Sequence, residues 1–155
     1  MNVEWLKLNS EGEQEALGAR LAAVGDAGLL VFLEGDLGAG KTTLTRGFMH
    51  GLGHKGPVKS PTYTLIEPYE IGGRKIYHLD LYRVADPGEL EYLGLREMLD
   101  EDATLLIEWA ERGEGWLPRP DLRIVIRHLG QGREVKLEAC TPVGEAVLGK
   151  LGIKF

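Results

Sequence analysis

The stretch EGDLGAGKTT, residues 34–43, restricts what this chain can fold into more than any other. Three glycines interleaved with an acid and closed by a lysine and two hydroxyls suit no packed core. They sit between GLLVFLE at 28–34, a continuous apolar run of the kind buried on both faces of a sheet, and residues 41–52, where Leu44, Phe48 and Leu52 fall at helical spacing. Gly35, Gly40, Lys41 and Thr42 satisfy G-x-x-x-x-G-K-[ST] in the strand-then-helix context that this motif requires. Such a loop is a phosphate cradle. Its glycines permit backbone conformations that a Cβ opposes, and its N–H groups point at phosphate oxygens near the positive end of the following helix. Lys41 is placed to neutralise the outer phosphates, and the Thr42 hydroxyl to bind a Mg²⁺ that bridges them.

The rest of the chain reads as one domain, residues 1–155, with 43% hydrophobic and 27% charged residues, enough for a sizeable core. The start MNVEWLKLNSEGEQ has no basic n-region or apolar h-region, and no apolar run approaches the roughly 18 residues of a membrane span, so a cytoplasmic protein is expected. Cys140, in the run EVKLEAC, reads as a small strand residue. A net charge of −6 argues against coating DNA or an anionic membrane by electrostatics alone.

VEWLKL (3–8) predicts a short strand. Ser10 with Glu13 predicts a capping box for a helix to about Val24, with Ala16, Leu17, Leu21 and Val24 on one face. TYTLIEPYE (62–70), a Gly72–Gly73 turn and RKIYHLD (74–80) predict a hairpin. DPGELEYLGLREMLDED (86–102) predicts a helix capped by Asp86, and ATLLIEW (103–109) a buried strand. DLRIVIRHL and REVKLEA flank the turn GQG, and a helix over about 142–151 follows. The class is α/β, with a mixed central sheet, an antiparallel hairpin and flanking helices.

Ligands gather at the carboxyl ends of parallel strands, so acids that end strands are the next candidates. Glu108 ends TLLIE where a Walker-B-type carboxylate would reach Mg²⁺ or its water, and Asp80 ends KIYHLD. Taken alone, each could equally cap its strand; beside a complete glycine loop the functional reading is the favoured one. Thr62 and Thr64 have good strand composition; Thr62, after Pro61, is the better placed to offer a hydroxyl to a γ-phosphate or its metal. Trp109 reads as core in preference to a neighbour of the nucleotide, and His78 as a hydrogen-bonded structural residue in preference to a base. No [NT]-K-x-D signature or D-x-x-G switch supports guanine; Leu81, Tyr82 and Arg83 follow Asp80.

GDLGAGKTTLTRGF, KSPTYTLIEPY, YHLDLYR, ADPGELEYLG and LLIEWAERG, in this order and at these intervals, resemble the bacterial TsaE (YjeE) family, the ATPase of the tRNA threonylcarbamoyladenosine pathway. The resemblance covers most of the chain and implies the P-loop NTPase fold. It implies a protein that binds and weakly hydrolyses ATP with Mg²⁺, acting with TsaD and TsaB when threonylcarbamoyl is placed on N6 of adenosine 37 in tRNAs reading ANN codons. The transfer itself belongs to TsaD. By similarity Lys41 and the backbone of Gly35, Asp36, Leu37, Gly38, Ala39 and Gly40 hold phosphates, Thr42 and Glu108 contact Mg²⁺, and Thr43 reaches the α-phosphate. Asp80 acts through water, and the stretches 60–70 and after Asp80 behave as switches. Ser10 and Arg133 lie near base and ribose by the same resemblance, although a helix cap and a hairpin position explain them equally well.

The tRNA is expected to be met indirectly, through the complex; His54, Lys55, Lys59, Arg74 and Lys75 read as solvated surface or protein interface in preference to phosphate contacts. The alternative activity is that of a P-loop small-molecule kinase, which the short chain and the lack of an Arg-rich lid disfavour.

Overall fold

The computed structural model describes residues 5–25, 28–36 and 38–152. Strands β1 (Leu6–Leu8), β2 (Leu30–Glu34), β3 (Ile66–Ile71), β4 (Arg74–Asp80), β5 (Thr104–Glu108), β6 (Leu122–Leu129) and β7 (Gly132–Ala139) form a single sheet in the order β1-β7-β6-β2-β5-β4-β3. β4, β5, β2 and β6 run parallel, and β1, β7 and β3 are antiparallel to their neighbours. This is the mixed α/β sheet of the P-loop NTPase fold. Its margins are β1, of three residues, and β3, which carries Pro68 opposite Tyr77.

Helices α1 (Glu11–Val24), α2 (Lys41–Gly51) and α5 (Pro142–Leu151) cover one face of the sheet, and the short α3 (Glu89–Tyr92) and α4 (Leu95–Asp100) cover the other. The period of two along each strand divides the core accordingly. Val31, Leu33, Ile76 and Leu106 pack with α1 and α2, while Leu30, Leu79, Leu105 and Ile107 pack with α3 and α4. Leu44, Phe48 and Met49 of α2 are enclosed, each such side chain contributing about 1.5–3 kcal/mol of hydrophobic stabilisation.

Helix α1 starts as predicted: the Ser10 hydroxyl accepts from the Glu13 N–H at 3.2 Å, and the Glu13 carboxylate accepts in return from the Asn9 N–H at 3.1 Å. Its buried stripe is rotated from the one read in the sequence. Gln14, Leu17, Gly18, Leu21 and Ala22 face inward and Ala16 is exposed. The cause is backbone-to-backbone packing on α2: a Cβ at Gly18 would lie 2.1 Å from the Leu44 carbonyl oxygen, and one at Gly47 2.1 Å from that of Glu15.

Two other predicted elements differ. Residues 62–65 form a turn, so β3 begins only at Ile66. The Leu65 N–H donates to the Pro61 carbonyl and Leu65 itself stands at φ 69°, a left-handed conformation that no strand accommodates. The helix predicted over 86–102 is two short helices, because Gly94 adopts φ 81° and breaks the ladder between them. A 3₁₀ turn, Ala110–Gly113, follows β5 and was not foreseen. Val3 and Glu4 of the first predicted strand lie outside the described residues.

Candidate functional site

Parallel pairing brings Glu34, Asp80 and Glu108 to one edge of the sheet as the C-terminal residues of β2, β4 and β5. Asp80 and Glu108 are register partners. Both lie in the face-forming series that includes Ile76 and Leu106, and therefore on the side of the sheet that carries α2. Lys41 is the first residue of that helix, and the sheet order lands its ammonium among the acids. A cleft of about 370 Å³ is lined by Lys41, Thr42, Thr43, Thr62, Asp80 and Glu108.

The glycine loop turns into α2 at Gly40, which stands at φ 108° and has the Gln14 side chain directly over it; a Cβ there would lie 2.2 Å from Gln14 Oε1. No L-residue meets both demands. Lys41 is 5% exposed. Its Nζ donates to the Gly35 carbonyl at 2.7 Å, lies 3.7 Å from Glu108 Oε1 and stands 4.5 Å from the centre of the Trp109 ring. The ammonium is thus held in a dry corner by a carbonyl, a carboxylate and an aromatic face. Thr43 is buried, and the Ala39 N–H closes a turn onto the Asp36 carbonyl. Leu37 lies outside the described residues.

Asp80 is buried and fixed by three contacts. Its N–H donates to the Leu65 carbonyl at 3.0 Å, Oδ1 accepts from the Tyr82 N–H at 3.0 Å, and Oδ2 accepts from the Thr62 hydroxyl at 3.4 Å. Thr62, from the turn and not from a strand, also shares a 2.7 Å hydrogen bond with the Ser60 hydroxyl. Thr64 points elsewhere, donating to Glu67 at 3.0 Å. His78 reaches Glu108 Oε2 with Nε2 at 2.6 Å.

Thr42, Asp80 and Glu108 offer only oxygen, the donor chemistry of a hard cation such as Mg²⁺. Among the described residues no three His, Cys, Asp or Glu side chains converge to hold a metal by themselves. A cation shared with phosphate and water needs only one or two carboxylates from the protein.

Behind the loop, Glu34 pairs with the Arg123 guanidinium at 2.7 Å, yet burial outweighs that attraction and pushes its carboxyl above the usual range. Its side chain belongs to the opposite face from Glu108 and lines a second cleft with Asp36, Trp109 and Glu111.

Other sequence expectations fall in different places. The Ser10 hydroxyl is committed to capping α1. Arg133 reaches the loop from the β6–β7 hairpin, donating through Nε to the Ala39 carbonyl at 3.0 Å and through Nη2 to that of Gly38 at 3.2 Å. Trp109, read as core, does pack against the Leu105–Ile107 cluster, but it stands at φ 58° with its ring beside both Lys41 and Tyr82, 4.9 Å from the latter. Gln14 was missed. It is 4% exposed, its Oε1 has no partner among the described residues, and its signal was a polar side chain in step with Leu17, Gly18 and Leu21. Tyr82 carried no such signal.

Comparison with known proteins agrees with this geometry. Residues 8–135 match the family model described as "Threonylcarbamoyl adenosine biosynthesis protein TsaE". The protein of that name from Haemophilus influenzae is 52% identical over 120 residues, covering 77% of this chain and 76% of its own. Its namesake from Bacillus subtilis is 44% identical over 138 residues, covering 88% and 85%. Among solved structures, the crystal structure of Bacillus subtilis YdiB superposes with a TM-score of 0.82 at 36% identity, covering 97% of this chain and 95% of that one. With residues 8–135 matched by that family model and relatives at 44–52% identity covering most of its length, the chain belongs to the TsaE family.

Proposed function

We propose that the protein binds ATP with Mg²⁺ at the glycine loop, hydrolyses it slowly, and serves threonylcarbamoylation of N6 of adenosine 37 in tRNAs reading ANN codons. In this reading it is a nucleotide-dependent switch on the TsaD–TsaB complex in the cytoplasm, not the transferase, and it meets tRNA only through that complex. The observation that carries the reading is the convergence of Lys41, Thr42, Asp80 and Glu108 on one cleft at the start of α2.

The roles follow from position. The N–H groups of the loop and of the first turn of α2 face an incoming phosphate chain with the positive end of the helix dipole. Lys41, already desolvated, exchanges the Gly35 carbonyl and Glu108 for phosphate oxygens. Mg²⁺, when bound, would supply positive charge against the outer phosphates. The Thr42 hydroxyl and the Glu108 carboxylate would hold it, Glu108 directly or through a water. Asp80, with a carboxylate fixed from both sides, orients water at the γ-phosphate. Thr62 ties the 62–65 turn to Asp80, so that the turn has a direct connection to whatever occupies the cleft.

Arg133 acts on the loop through its carbonyls. Arg133→Ala is expected to weaken ATP binding about tenfold, the effect of losing charge-assisted hydrogen bonds that order the cradle. Isothermal titration calorimetry of the variant checks this; unchanged affinity would show that the loop holds its shape alone.

The whole reading is tested by measuring ATP hydrolysis with Mg²⁺, first for the protein alone and then with TsaD and TsaB, while following modified adenosine in a tRNA. Slow turnover alone, stimulation by the partners, and repeated rounds of modification that require this protein are expected. If the partners change neither rate, the switch role is wrong.

A further inference from the structure

We infer that His78 is a positioning residue for Glu108: it commits one carboxylate oxygen inward so that the other is presented to the cleft. This rests on the proposed role of Glu108 beside Mg²⁺. His78 lies on the same face of β4 as Ile76 and Asp80, and none of its surface is exposed. It pairs with Leu106 in register, and its ring extends along the neighbouring strand to Glu108, two residues further on. A carboxylate only accepts, so Nε2 carries the proton of this 2.6 Å hydrogen bond. Nδ1 is enclosed and has no partner among the described residues.

For the fold alone, this is a poor use of a core position. An enclosed imidazole with one unpartnered nitrogen is more costly than a leucine, which Ile76 and Leu106 on the same face show would be at home there. What the histidine adds is a donor aimed at one oxygen of a side chain that has three torsions to fix. Glu108 is 4% exposed; Oε2 faces His78 and Oε1 lies toward Lys41 at 3.7 Å. Without His78 the carboxylate is free to turn both oxygens onto the ammonium, which would withdraw Lys41 and Glu108 from the cleft together.

The test is the Mg²⁺ dependence of ATP affinity, taken as the ratio of calorimetric Kd values in EDTA and in Mg²⁺, with turnover measured alongside. In His78→Leu the ratio and kcat are expected to fall by about tenfold or more, the usual cost of removing a hydrogen-bond partner from a metal-site ligand, while affinity in EDTA stays within about twofold. His78→Gln, which keeps an N–H of similar reach, should recover most of both. If the leucine variant does not fold, His78→Asn, whose amide is too short to reach Glu108, replaces it as the loss variant. In a Glu108→Gln background, removing the histidine should change the ratio no further. A wild-type ratio in the loss variant, a glutamine variant no better than that loss variant, or losses that add to those of Glu108→Gln would each overturn the assignment. A wild-type protein whose ATP affinity ignores Mg²⁺ would overturn the parent reading instead.

Discussion

Alanine at position 41 is expected to cut ATP affinity by about a hundredfold, as the loss of a desolvated ammonium that makes charge-assisted hydrogen bonds to phosphate. Glu108→Gln and Asp80→Asn should separate from it: binding within about fivefold of wild type, with turnover reduced about a hundredfold or more, because they act where charge and water are arranged in the transition state. The geometry gives the reason for the division. Lys41 opens the helix that would face the phosphates, and among the described residues the cleft lining holds no substitute cation. Glu108 and Asp80 instead reach the cleft from strand ends, with their remaining hydrogen bonds directed at His78, Tyr82 and Thr62. Calorimetry gives the first quantity and phosphate release the second. Equal loss of binding in all three variants would mean that the acids belong to the cradle and not to the chemistry.

The largest expected effect on stability is that of Gly47→Val. A Cβ at this position falls 2.1 Å from the Glu15 carbonyl oxygen and 2.5 Å from its Cα, so the conflict is with backbone and no rotamer relieves it. Separating α1 from α2 should cost about 3 kcal/mol or more, at the upper end of overpacking penalties. Gly149→Ala is the control. It stands within α5, a Cβ there meets nothing within 4 Å, and the substitution should stabilise by up to about 1 kcal/mol. Urea denaturation of both variants checks the pair. A mild loss at Gly47 would mean that the two helices are able to slide apart without cost.

The parts legible in the sequence were those decided locally. The glycine loop is specified by the residues that make it, and Asp80 and Glu108 could be found because each ends an apolar strand that the parallel sheet then aligns. Where long-range packing decided, the reading failed in identifiable ways. Thr62–Leu65 has strand composition, but Leu65 is held left-handed by backbone bonds to Pro61 and Asp80, and the segment turns. Ala16 has the right spacing for a buried stripe, but Gly18 pulls the helix round to a closer partner. The hydrogen bond of His78 and the hairpin position of Arg133 were legible locally; that one reaches Glu108 and the other the loop depends on the strand order β7-β6-β2-β5-β4, which no local pattern encodes.

The two margins of the sheet bear on how this molecule can meet others. A foreign strand laid along β3 would find, near its centre, a proline with no N–H to exchange, with Glu67 before it and Glu70 two residues beyond. At the opposite margin lies β1, three residues long among the described residues. Growth of the sheet by backbone zippering, whether with a copy of itself or with a partner, is therefore opposed at β3. Side chains on loops and helices carry no such restriction, and their contacts can be made and broken without unravelling any strand.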